Sequence, residues 1–274
     1  MKTQSNLIDN LKSGFAAIVI PAILVASYLI FQYVLGNPDN FQGGDPNNHP
    51  LPGNWLGIVY KGGLIVPMLL GLLIMTLTFS LERFITISSA KGKGSLKNFI
   101  RTVKTLVNRG ELSNAIALCD QQKGSVANVV KAGLLKYREM SRNHSLEEDK
   151  KILAIQKDIE ETTQLEMPML EKNLVIIATI ASIATLMGLL GTVLGMIKAF
   201  AALATAGAPD AVALANGISE ALINTALGIG TSAIAIIMYN YFTSTIDKLT
   251  HGIDEAGYTI VQNFAAQKNE TVAA

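Results

Sequence analysis

Residues 187–200 read MGLLGTVLGMIKAF. The run is apolar and rich in glycine, and its one hydroxyl is Thr192. A second run beginning at Glu220, EALINTALGIGTSAIAIIMYN, has the same character around Thr225. Neither carries a charge in its interior. A membrane span needs roughly 20 apolar residues, and lipid offers no partners for backbone N–H and C=O groups, so each span must be a helix. Working outward, four segments qualify: 14–35, 64–81, 174–197 and 218–241. The second is short by that rule but is flanked by usable residues. The expected fold class is an all-α integral membrane protein.

The bulk numbers agree. Half of the 274 residues are hydrophobic and only 16% are charged. The net charge of +1 gives no reason to expect nucleic acid as a partner. The placement of charge says more. Sixteen of the 22 Lys and Arg residues fall between Arg83 and Lys172, whereas 36–63 holds only Lys61 and 201–217 holds none. Cationic segments stay in the cytoplasm. That places 83–172 inside, and an even number of spans puts both termini there too, as Lys2 and Lys12 suggest.

Segment 14–35 has the basic start and apolar run of a signal peptide. Its run continues through SYLIFQYVL beyond the small-residue pattern VAS, too long for a signal core, so a retained span is expected. The following GNPDNFQGGDPNNHPLPGNW, 36–55, reads as an extracytoplasmic loop of turns. His49 within it has no neighbouring ligands and is expected to be exposed rather than metal-bound. Cys119, the single cysteine, excludes an internal disulfide and reads as a buried structural thiol. No HExxH, Walker loop or GxSxG is present, and no span holds a His or Cys, which argues against an intramembrane enzyme. No cofactor is expected.

The cytoplasmic segment reads as helices. SLKNFIRTVKTLVNRG places Leu96, Phe99, Ile100, Val103 and Leu106 or Val107 on one face and ends at Gly110. ELSNAIALCDQQKG and SVANVVKAGLLKYREM follow as two more. In SLEEDKKILAIQKDIEETTQLEMPMLEKN, Ser145 and Glu148 have capping-box spacing. This helix is expected to run on into the third span, with Pro168 a kink rather than a stop. Unbroken from 146 to 203, it would be roughly 87 Å long at 1.5 Å per residue. The tail from 246 should continue the fourth helix, with Asp247, Lys248, Asp254 and Glu255 as a solvated face, and fray at QKNETVAA.

Every third or fourth residue around Thr192 reads Ala181, Thr185, Gly188, Thr192, Gly195, Ala199. Around Thr225 the stripe is Ala221, Thr225, Gly228, Ser232, Ala235, Tyr239. Two readings compete. One is close helix packing, for which Gly191-x-x-x-Gly195 is a small-xxx-small pattern and in which buried Thr bonds its own i−4 carbonyl. The other is a polar lining. An ion path through lipid needs an ionisable group, yet Glu82, Glu220 and Lys198 all lie near span ends. A mid-membrane carboxylate would then come from another polypeptide, and the stripes would be a socket for its helix.

ATIASIATLMGLLGTVLGMIKAF, followed by GISEALINTALGIGTSAIAIIMYNYF, resembles the MotA/TolQ/ExbB proton-channel family, most of all its ExbB members. The ERF after span two and GELSNAIALCDQQKGSVANVVKAGL resemble its cytoplasmic region. The resemblance covers about 64–250. It implies a homo-oligomeric ring, a pentamer, in the bacterial inner membrane. It also implies enclosed ExbD-like single-span helices bearing an essential aspartate, and a TonB-like protein driven by proton flow. The family's pore threonines match Thr192 and Thr225, and its GISEAL glutamate matches Glu220. On this reading the chain divides into an extra N-terminal membrane helix (1–35), a periplasmic loop (36–63), a membrane helix (64–85), a helical cytoplasmic domain (86–172), two pore-lining helices (173–245) and a cytoplasmic tail (246–274). Gly188, Gly191, Gly195 and Gly228 serve packing.

The chain departs from the family where proline often stands, at Thr185 and Ile234, which should leave straighter helices. Extra hydroxyls at Thr185, Thr231 and Ser232 raise sodium as an alternative coupling ion, since oxygen ligands suit hard cations. An ion-driven motor subunit is the leading expectation, with TolQ-like or gliding and flagellar stator-like roles, or a pure scaffold, as alternatives.

Overall fold

The computed structural model describes the backbone of residues 2–204 and 210–273 and the side chains of 15–204 and 210–266. The described residues are helical apart from short connections and one isolated bridge between Phe41 and Pro50. Among the described residues four helices are long and apolar enough to cross a membrane. The chain divides into two compact units, with boundaries at 81/82, 174/175 and 239/240.

In the first unit, α1 (Lys2–Leu29) carries Pro21 in its interior and passes into a π-helical segment, Ile30–Leu35. The stretch expected to be a loop of turns is a packed lobe containing two 3-10 turns and a short helix, α2 (Trp55–Tyr60). Asn40, buried, holds it together. Its Nδ2 donates to the Val34 and Leu35 carbonyls at 2.9 and 3.0 Å, and its Oδ1 accepts from Asn54 at 2.9 Å. The Tyr60 ring stacks on Phe31 and meets Phe41 edge-on. Lys61 Nζ donates to the Pro46 and Asn47 carbonyls. His49 is exposed, as expected.

A 3-10 turn, Gly63–Ile65, leads into α3 (Val66–Lys91), a helix of 26 residues that continues past the apolar window. Near its start α3 lies close to α1. A methyl group at Gly71 would fall 3.2 Å from Ser27 Oγ. Ser27, buried, gives its hydroxyl to the Leu24 carbonyl. The remaining membrane helices are α8 (Leu174–Leu203) and α9 (Ala211–Ala273). The 201–217 connection falls in part on 205–209, outside the described residues.

The second unit holds α4 (Leu96–Asn108), α5 (Leu112–Gln122), α6 (Gly124–Arg142), α7 (Glu148–Glu171) and the later half of α9. In α4, Phe99, Ile100, Val103 and Val107 are buried, so Val107 rather than Leu106 completes the stripe. Cys119 is 2% exposed, and burial pushes its thiol up to about 12. Phe242, Ile246, Leu249, Ile253, Ala256, Ile260 and Phe264 form a buried stripe on α9. Asp247, Lys248, Asp254 and Glu255 are exposed opposite, as expected. A 3–4 spacing of apolar residues with a charged opposite face is the pattern of a helix half in water. Tyr137, on α6, donates its hydroxyl to Asn263 Oδ1 at 3.0 Å, and its ring meets Phe264 edge-on.

Three local expectations are corrected. The unbroken helix from 146 to 203 does not form. α7 ends at Glu171, Asn173 adopts φ +66°, and α8 begins at Leu174. Asparagine tolerates that left-handed conformation better than most residues. Pro168 lies inside α7 and stops nothing. What satisfies the end of α7 is Arg83, 2% exposed, whose Nη1 donates to the Met169 and Leu170 carbonyls at 3.0 and 3.1 Å. Unpaired carbonyls at a buried helix end need such a donor. Arg83 is in turn held by the Glu82 carboxylate, which also accepts from Asn173 and Thr86. Second, the capping box at Ser145 is not made. The Ser145 amide and hydroxyl both bond Asn143 Oδ1, and α7 starts behind Glu147 with no side-chain cap. Third, α9 continues to Ala273 instead of fraying at 267.

Candidate ion pathway

α8 and α9 meet through their smallest residues. A methyl group at Gly195 would lie 2.6 Å from the Ala221 nitrogen, and one at Gly228 would lie 2.5 Å from the Ala184 carbonyl oxygen. At Gly188 it would lie 3.0 Å from the Asn224 carbonyl oxygen, and at Gly191, 2.3 Å from Asn224 Cβ. Gly217 closes on Ala199 and Gly195 in the same way. Lipid tails are as apolar as leucine, so helices in a bilayer gain little by burying bulky side chains. Small residues let the backbones approach and contact each other directly. Within the chain the two small stripes therefore pack against one another.

The hydroxyls lie along this seam. Thr192 and Thr225 are both half-buried and hydrogen-bond each other. Each also faces its own i−4 carbonyl, Gly188 at 3.2 Å and Ala221 at 3.1 Å. A threonine bonded this way exchanges donors within the turn and keeps acceptor capacity for a third group. The structure does not group the three supplementary hydroxyls with them. Thr185 is exposed, and Ala184 takes the buried position expected of it. Ser232 is buried and spends its hydroxyl on the Ala181 carbonyl at 2.5 Å. Thr231 is buried on α9 beside it in sequence.

At the 203–211 end of the pair, Glu220 is 8% exposed. Lys198 Nζ donates to both of its carboxylate oxygens, at 2.6 and 2.8 Å. One turn along α9 is a residue the sequence reading missed. Asn224 is fully buried, its Nδ2 donates to the Gly62 carbonyl at 2.8 Å, and its Oδ1 has no partner. The available signal was spacing: Asn224 stands four residues after Glu220 and is an amide in an otherwise apolar run. Among the described residues no cluster of His, Cys, Asp or Glu could hold a metal.

Membrane helices zipped by glycine, with paired hydroxyls in mid-helix and one ion pair at the end, define a multi-pass helical membrane protein. Residues 121–255 match the model of the MotA/TolQ/ExbB proton channel family, and the chain belongs to that family. It is 35% identical over 88 residues to biopolymer transport protein ExbB-like 3 of Synechocystis, covering 31% of this chain and 42% of that protein. It is 30% identical over 124 residues to the Tol-Pal system protein TolQ of Pseudomonas aeruginosa, covering 45% of this chain and 54% of TolQ. The chain thus spans about half the length of these two relatives. With biopolymer transport protein ExbB of Neisseria meningitidis it shares 24% identity over 227 residues, covering 78% of this chain and 99% of the relative. The family is one of channels, not of enzymes.

Proposed function

We propose that this chain is the ion-conducting subunit of an inner-membrane energy-transducing complex of the ExbB–ExbD type. On this reading it assembles as a homo-oligomeric ring, a pentamer. It encloses an ExbD-like single-span partner that supplies a membrane aspartate, and proton flow moves a TonB-like protein to power outer-membrane transport. The observation that carries the reading is the Thr192–Thr225 hydroxyl pair. It is half-buried in mid-span, without a carboxylate of its own, in a chain of a proton-channel family. The two hydroxyls would hydrogen-bond a partner carboxylate, or a water beside it, as it gains and loses a proton.

The concentration of Lys and Arg in 83–172 supports a cytoplasmic second unit and cytoplasmic termini. Glu220 and Lys198 then stand at the outer mouth. The proton is the coupling ion we favour over sodium, because Thr185 faces away and Ser232 is already committed. The TolQ likeness supports one second reading, the same ion-driven engine serving envelope maintenance.

Thr192→Val and Thr225→Val test the proposal, since valine keeps the volume and removes the donor and acceptor. Coexpressed with an ExbD-like partner, either variant should assemble normally and lose proton uptake in vesicles. Undiminished uptake in both and in the double variant would leave the pair with helix packing alone.

A further inference from the structure

The Glu220 carboxylate packs against the Gly62–Gly63 turn on one side and is countered by Lys198 on another. Gly63, at φ +73°, stands against it: a Cβ there would lie 2.6 Å from Oε1. The Gly62 carbonyl next to it is tied to α9 by Asn224. That tie keeps the Gly62–Gly63 turn against the carboxylate. The counter-charge, Lys198, is different. Its ammonium bridges both oxygens, yet its side chain is 58% exposed, against 11% for Glu220. A lysine is a compact charge on a flexible four-carbon stem. An ammonium shared between two carboxylate oxygens takes the position an incoming monovalent cation would occupy.

We propose that Lys198 is a tethered counter-ion that controls cation entry at Glu220. With the ammonium in place the site has no net charge and holds no other cation. With it swung away, a carboxylate packed against the Gly62–Gly63 turn receives one hydronium or sodium ion. Lys198 thus gates the site, and Asn224 and Gly63 hold the turn beside it in place. The inference rests on the ion-path reading above and deepens it.

Two measurements separate the two ideas. In purified full-length protein, a hydrophobic carbodiimide adds to a protonated carboxyl group, taking its proton onto nitrogen; a bound ammonium or sodium ion suppresses that form, and mass spectrometry maps the site. Glu220 should be nearly unlabelled in the wild type and labelled at least fivefold more in Lys198→Met, which keeps the stem and removes the charge. Sodium chloride added to Lys198→Met should lower that labelling if sodium binds and leave it unchanged if only protons do. In proteoliposomes holding the protein together with an ExbD-like partner, under an imposed potential, Lys198→Met should leak protons several-fold faster than wild type. Lys198→Met with Glu220→Gln should return to the wild-type rate. Equal Glu220 labelling in wild type and Lys198→Met overturns the inference whatever the flux, as does a leak that survives in the double variant. Increased labelling alongside partner-loaded wild-type vesicles that pass no protons would support the counter-ion role and overturn the ion path instead.

Discussion

One helix, α9, packs by two different rules. From Ala211 to Tyr239 its contacts with α8 run through Gly217, Ala221 and Gly228, backbone against backbone. From Asn240 onward its contacts run through Phe242, Ile246, Leu249, Ile253, Ile260 and Phe264, side chain against side chain. Large exposed apolar residues such as Leu222, Ile229 and Ile237 mark the first half, whereas Asp247, Lys248, Asp254 and Glu255 mark the exposed face of the second. The difference follows from the solvent. In water, burying a large aliphatic side chain is worth about 1.5–3 kcal/mol. In lipid that gain disappears and close approach takes over. Residue size along a single helix therefore differs between its apolar-faced half and its charge-faced half.

The strongest test of this contrast is in the second half. Ile253→Ala deletes a side chain 1% exposed in a stripe of its own kind. It should destabilise by about 2–5 kcal/mol, read as a lowered thermal midpoint by far-ultraviolet circular dichroism in mild detergent. In the first half the damaging change is addition. Gly195→Ala forces a methyl against the Ala221 backbone nitrogen, at a cost of about 1–3 kcal/mol. Gly230→Ala is its control: nothing lies within 4 Å of the added carbon, and the midpoint should hold or rise slightly. If both glycine changes were equally harmless, the backbone-contact account of the seam would fail.

Thr192→Val should affect stability less than Ile253→Ala or Gly195→Ala, by about 0.5–1.5 kcal/mol, the net worth of an ordinary hydrogen bond. A loss of proton uptake far beyond that small change would separate conduction from packing. The smallest effect belongs to Cys119. Its folded thiol is raised by burial, with the Asp120 charge adding, from an ordinary 9.0 to about 12. Maleimide at pH 8 should leave it unmodified until denaturant is added. Because the unfolded thiol ionises first, stability from this group falls as pH rises from about 9 toward 12 and is unaffected below. Rapid labelling of the folded protein would contradict the burial.

The sequence showed which helices exist because long apolar runs and a 3–4 spacing are local signals. It showed Thr192 and Thr225 because a hydroxyl stands out among leucine and isoleucine. It did not show that the two stripes face each other, since a stripe indicates smallness but not what fills the groove. The break at Asn173 was hidden because its cause is distant in sequence: Arg83 takes the Met169 and Leu170 carbonyls that would otherwise continue the helix. Pro168, the visible punctuation, drew attention to the wrong residue. Asn224 escaped for the same reason, as its partner Gly62 lies 162 positions away.

The lobe that follows α1 contains the chain's only tryptophan, Trp55, at the first position of α2 and 76% exposed. All indole fluorescence of this protein therefore originates in that one lobe. An emission change during heating would report that lobe alone, and the long helices could melt unseen. Fluorescence and circular dichroism traces should be treated as two separate thermometers, and a gap between their midpoints would measure how far the lobe's unfolding is decoupled from that of the helices.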